Sequence, residues 1–251
     1  MQVESRYWIN ENLLKIKISE NTVNTATAII SIIDEYGRTK QNSFQRFIEA
    51  CNQLQDIEKT SPEQVEQFIM DLLAPNVDAR LFEIVSYSIL KAFYHKQTII
   101  WGRTMDDLKA ENLKLYKTGR TNANNGGIDF VMKPLGIFFQ VTETLDFKKY
   151  FLDIDKLQKF PITFVIKSEA DVEGLRENIR ANASKTYSIT AIVDKYMACI
   201  EEIINIPTLR SNFQEAVKQK QLGNILSEII AQSKVEFNYS ESEVEQEDEL
   251  P

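Results

Sequence analysis

Two apolar runs joined by a three-residue turn constrain this fold more than any other feature. Ile128–Lys133 (IDFVMK) and Ile137–Glu143 (IFFQVTE) flank Pro134-Leu135-Gly136. Short β-branched and aromatic runs on either side of a proline–glycine turn predict a β-hairpin. A hairpin cannot bury its own apolar faces, so it needs further strands or helices packed against it. The chain offers both. Pro161–Ser168 (PITFVIKS) is continuously apolar at its centre, the pattern of a strand covered on both faces.

Upstream, VDARLFEIVSYSILKAFYHKQ predicts a strong helix capped by Asn76 or Asp78, with Leu81, Ile84, Val85, Ile89, Leu90 and Phe93 on a broad apolar face. An irregular stretch leads to LKLYKTG, read as a strand. After the hairpin come an amphipathic helix (LDFKKYFLDIDKLQKF), the buried strand, a helix (EADVEGLRENIRANA), a short strand (SITAIVD) and a helix (KYMACIEEIINI). LRSNFQEAVKQKQLGNILSEIIAQSK closes the fold. This order predicts an α/β fold over residues 76–234, a mixed central sheet with helices on both faces. Residues 1–75 read as a helical subdomain of three helices. The first stops near Gly37, and the third opens with Ser61 as N-cap and Pro62 in its first turn and ends at Pro75. Residues 235–251 read as a disordered acidic tail.

Composition narrows the function. No apolar run of the 251-residue chain reaches the roughly 20 residues that span a bilayer, and MQVESRYWINENLLK lacks the apolar core of a signal peptide. A cytoplasmic protein without a membrane partner is expected. Cys51 and Cys199 sit in apolar helix-like surroundings and read as buried free thiols. With His95 as the single histidine they offer no zinc ligand cluster. The net charge of -8 is concentrated, because the segment from Val235 holds seven acidic residues and no basic one. Lys91–Phe160 has the opposite balance, with twelve Lys and Arg against eight Asp and Glu, which is compatible with a DNA partner.

The chemistry concentrates on the hairpin. Asp129 follows a glycine pair, and Gln140, Thr142 and Glu143 come where the apolar second strand ends. Polar groups at the end of a buried strand call for a compensating partner, and a hard cation such as Mg²⁺ is one. Asp129 is the leading ligand, with Gln140 and Glu143 as the others. Alternation puts Gln140 and Thr142 on the face of Phe138, and Val141 and Glu143 on the other. A bulge would turn Glu143 inward. The polar, glycine-ended loop Arg120–Gly127 suits close approach of a phosphate backbone.

These residues resemble the PD-(D/E)xK nuclease superfamily, which includes most type II restriction endonucleases and the Mrr-type enzymes. GGID ends at Asp129, where the family carries its acidic residue, and Gln140-Val141-Thr142 stands in place of Gln-x-Lys. Glu83 in RLFEIVSY matches the family's upstream helix glutamate. The likeness covers residues 78–170 and implies a restriction-endonuclease-like core. It further implies Mg²⁺-dependent hydrolysis of double-stranded DNA at a short specific sequence, by a homodimer with Asp129, Gln140, Thr142, Glu143 and Glu83 at its centre. The departure is Thr142, which stands where the family's lysine would be. Glu143 completes the site, or a lysine arrives from elsewhere, or catalysis is lost. Lys133 shares the Asp129 face of its strand and is the favoured substitute, with Lys117 its competitor. An Mrr-like or junction-type nuclease and an inactive DNA-binding module of the same fold are the alternative readings.

Overall fold

The computed structural model describes residues 2–3, 6–7, 11–18, 21–119 and 128–237. The chain divides into two units, Met1–Ala50 and Cys51–Pro251, whereas the sequence suggests a boundary near residue 75. The first unit is not purely helical. Strands β1 (Gln2–Val3) and β2 (Arg6–Tyr7) pair antiparallel, as do β3 (Lys15–Ile18) and β4 (Asn21–Asn24). Helix α1 (Thr25–Ile57) then runs without a break through Gly37, where a stop was expected, and ends within the second unit. One interior glycine costs a helix only about 1 kcal/mol relative to alanine, too little to end 33 residues of otherwise continuous helix.

The second unit continues with α2 (Pro62–Asp71) and α3 (Ala79–His95). Asp78 caps α3 by accepting the Arg80 N–H at 3.0 Å, as the sequence suggests. The stretch read as irregular contains an antiparallel hairpin of β5 (Thr98–Trp101) and β6 (Lys109–Asn112). Its strands bury little, which hides them from a pattern based on apolar residues. The central sheet follows: β7 (Lys114–Lys117), β8 (Phe130–Lys133), β9 (Ile137–Thr142), α4 (Phe147–Lys156) and β10 (Ile162–Ile166). Then come α5 (Val172–Thr186), α6 (Thr190–Ala198), β11 (Ile200–Ile204), α7 (Ile206–Lys218) and α8 (Leu222–Glu236).

The five-stranded sheet has the order β11-β10-β9-β8-β7. β7, β8 and β9 form an antiparallel meander, while β10 runs parallel to both β9 and β11. β10 is buried along its whole length, as its apolar run predicts. The fold is thus mixed α/β with helices on both faces. On one face Tyr87 and Tyr94 of α3 pack against Phe130 and Phe139, and α7 and α8 pack on α3. On the other, Tyr150 of α4 meets Phe164 with ring centroids 4.6 Å apart. Ile154, Ile179, Val193 and Met197 extend that core across α4, α5 and α6.

Two assignments near the end are exchanged. SITAIVD belongs to helix α6, and CIEEIINI holds strand β11 rather than a helix. In β11 the buried residues are Ile200, Ile203 and Ile204, a helix-like spacing. A bulge produces it. The register moves from Ile162↔Ile200 to Thr163↔Glu202, so Glu201 is an inserted residue that breaks the two-residue alternation. In α6 the buried Val193 and Met197 are four residues apart, a helical spacing masked by β-branched neighbours. At the other end, α8 continues through Glu236, two residues into the segment read as acidic tail.

Candidate active site

Asp129 stands immediately before β8. Its N–H donates to Phe139 O at 2.8 Å, although Phe139 is already the register partner of Phe130. Asp129 is therefore an extra residue at the start of the strand, a bulge that re-aims its side chain. The carboxyl turns along the sheet, and its Oδ2 accepts the Val141 N–H at 2.7 Å, replacing a ladder bond to a backbone carbonyl. From the other side, Thr118 donates its N–H to Asp129 O at 2.9 Å and its hydroxyl to the same oxygen at 3.1 Å. Backbone bonds from both neighbouring strands hold this one acid in place.

Burial, and then the negative charge of Glu83, push the Asp129 carboxyl up to about 7; the Val141 N–H and the charges of Lys149 and Lys117 act against them. Glu83 lies on α3 and Lys149 on α4. The carboxyl thus feels both helical layers at the end of the sheet.

Glu83 and Lys117 form a buried ion pair, with Lys117 Nζ 3.0 Å from Glu83 Oε1 and side chains only 8% and 7% exposed. Glu236, at the end of α8, adds a second carboxylate 3.8 Å from Lys117 Nζ and is itself 5% exposed. One ammonium group therefore lies among carboxylates from two helices, with Asp129 close enough to respond to it. Antiparallel pairing explains why Lys117 is here. β7 and β8 set Lys117 opposite Phe130 and Lys114 opposite Lys133, so Lys117 and Asp129 share one end of the hairpin pair.

Lys133 is at the other end. Four residues of extended strand separate it from Asp129, about 13 Å, and its ammonium lies 5.1 Å from the centre of the Tyr116 ring. Glu143 is also directed elsewhere. It is half exposed and ion-paired with Lys167, whose buried ammonium also donates to Val77 O and lies over the Phe82 ring. Thr142 is buried on β9, with its hydroxyl accepting the Thr144 N–H at 3.3 Å.

Gln140 is in register with Phe164 and so faces the α4 layer. Its amide nitrogen donates to Val141 O at 3.2 Å, and its buried Oε1 has no hydrogen-bond partner. An unpaired buried amide oxygen costs roughly 1–3 kcal/mol. Val141 thus ties the two residues together, giving its N–H to Asp129 and its carbonyl to Gln140.

Of the residues expected from sequence, the structure brings together Asp129 and Glu83, joins Gln140 to Asp129 through Val141, and adds Lys117. It does not bring in Lys133 or Glu143. Glu236 carries no sequence signal, because a glutamate opening an acidic run looks solvated. The loop Arg120–Gly127 lies outside the described residues. Among the described residues no group of three or more His, Cys, Asp or Glu side chains is poised to hold a metal. No described helix is long and apolar enough to cross a membrane. A cavity of about 460 Å³ between α3 and α8 is lined by Lys91, His95 and Glu228 and does not include Asp129. Comparison with protein families, curated proteins and solved structures gave no match for this chain.

Proposed function

We propose that the chain is a Mg²⁺-dependent nuclease that hydrolyses phosphodiester bonds in duplex DNA at a short specific sequence, in the manner of a type II restriction endonuclease. The observation that carries this reading is the cluster of Asp129, Glu83 and Lys117 at the end of the sheet. The element order adds support. Helix α3 with Glu83, strand β8 behind Asp129 and strand β9 with Gln140 follow one another, the order in which the likeness to PD-(D/E)xK nucleases sets these residues.

The donor set suits Mg²⁺, which takes hard oxygen ligands and is commonly held by one or two protein carboxylates, with water and substrate phosphate completing its shell. Asp129 would hold the ion, and the unpaired Oε1 of Gln140, tied to it through Val141, is a further oxygen donor. The negative charge of Glu83, which after burial is the second cause of the raised Asp129 carboxyl, adds to the attraction for a cation. When bound, Mg²⁺ supplies the Lewis acid and activates water for attack on phosphorus. Lys117 provides the positive charge that Thr142 cannot. Its ammonium stabilises negative charge developing on the phosphate, while Glu83 fixes its position. The protein's other contribution is geometric, because the clamps from Thr118 and Val141 leave Asp129 little freedom. Cutting both strands of a palindrome is simplest with two symmetry-related sites, which favours a homodimer.

Incubation of plasmid DNA with the protein and Mg²⁺ tests the reading. Discrete fragments of reproducible length support a sequence-specific nuclease. Cutting confined to branched or modified DNA would favour the junction-type or Mrr-like alternative. Sequence-specific binding without cutting would leave an inactive module of the same fold.

A further inference from the structure

The first half of α1 has the breadth of a core-facing helix, and nothing among the described residues covers it. Ile29, Ile30, Ile32, Ile33 and Tyr36 are each more than half exposed. At 100° per residue they span an arc of about 160°, wider than the roughly 100° stripe of an ordinary surface helix. Asp34, Glu35 and Arg38 take the opposite side. The adjoining hairpin of β3 and β4 adds Ile16, Ile18 and Val23, also exposed.

We propose that this surface of α1 and the β3–β4 hairpin is the interface at which two copies of the chain pair. Three observations favour a second copy over another occupant. The first is area. At roughly 100 Å² for each half-exposed Ile or Tyr, the patch offers on the order of 800 Å² per chain, the share each partner gives to a standard interface. The second is charge. Lys15–Lys40, which spans the hairpin and the first half of the helix, holds four basic and three acidic residues, so two identical surfaces meet with little net repulsion. A DNA-facing or membrane-facing helix would instead carry an excess of Lys and Arg. The third is Gly37, which falls within the apolar arc. A Cβ added there would meet nothing within 4 Å, so no contact among the described residues requires a glycine in the middle of this helix. Close approach of a second helix would give the glycine a use.

The proposal stands on this surface and not on the nuclease reading, although a two-fold enzyme would use it. Sedimentation equilibrium of the full chain at micromolar concentration should give a dimer. The Ile29→Glu/Ile33→Glu variant should be monomeric, with its dimer constant weakened at least 100-fold and its circular dichroism unchanged. Should that variant misfold, Ile33→Cys with a short bis-maleimide is the second arm. Cys51 and Cys199 are both buried, so crosslinked dimer must come from position 33. A monomeric wild type overturns the proposal, as does a dimer that the double substitution leaves intact or the absence of crosslinking through position 33. Flotation of a monomeric wild type with anionic vesicles would assign the surface to a membrane instead.

Discussion

Asp129→Asn should make the metal-free protein more stable while removing its activity. Asparagine keeps the shape and an oxygen for the Val141 N–H, but it removes the charge that conflicts with burial and with Glu83. Folding raises this carboxyl from 3.8 to about 7, so the folded state binds the proton more tightly than the unfolded chain. The group is therefore least costly below about pH 4, and its destabilising effect grows as pH rises until it levels off above about 7. Complete ionisation against such a shift costs about 4 kcal/mol at most. Because Asp129 is only half-buried, screening by water reduces this to roughly 1–2 kcal/mol. For a chain of this size the substitution should raise Tm by about 3–6 °C at pH 8, and by less than half as much at pH 5. The assay is thermal melting of wild type and variant at both pH values, without metal and with Mg²⁺. Added Mg²⁺ should stabilise wild type at pH 8 and leave the variant unmoved. A variant no more stable than wild type at pH 8, or one with the same advantage at both pH values, would refute the electrostatic reasoning.

Other consequences separate the lysines and acids. Lys117→Met removes the ammonium shared by buried Glu83 and Glu236 and should cost about 3–5 kcal/mol, whereas Lys133→Met should change stability by less than about 0.5 kcal/mol. In single-turnover cleavage at a temperature where both variants are folded, Lys117→Met should lose at least 100-fold and Lys133→Met less than threefold; the reverse order would move the working lysine to the far end of β8. Glu143→Gln weakens the contact to Lys167 rather than the Asp129 cluster, so it should cut more slowly than wild type by less than about tenfold, and a loss as deep as that of Asp129→Asn would bring Glu143 back into the site. Burial pushes the Cys51 thiol up to about 12 and also raises Cys199, so a thiol reagent at pH 8 should leave both unmodified in the native chain and label both in denaturant.

The sequence shows the fold well where burial and periodicity agree. The apolar face of α3, the hairpin around Pro134-Leu135-Gly136, the continuous run of β10 and the cap Asp78 are all local signals. It misleads where a bulge shifts the period, as at Glu201, where a strand takes on the spacing of a helix. The candidate site divides in the same way. Asp129 and Glu83 are visible as acids in apolar surroundings. The choice between Lys117 and Lys133 depends on the pairing of β7 with β8, which no single strand encodes. Alternation alone would place Asp129 on the face of Val131. The extra residue against Phe139 instead turns its carboxyl along the sheet to Val141, where charges from both helical layers act on it. Glu236 reaches Lys117 only because α8 folds back to the sheet end, a long-range placement with no local signature.

The central claim is that Asp129, beside Glu83 and Lys117, holds the metal for phosphodiester hydrolysis. Its most direct test is single-turnover cleavage of end-labelled duplex DNA carrying the cut site, by wild type and Asp129→Asn, with Mg²⁺ and with EDTA. The expected result is cutting by wild type in Mg²⁺ alone, and a loss of at least 1,000-fold in a variant that still binds the same duplex. Undiminished cutting by Asp129→Asn, or wild-type cutting that persists in EDTA, would contradict it.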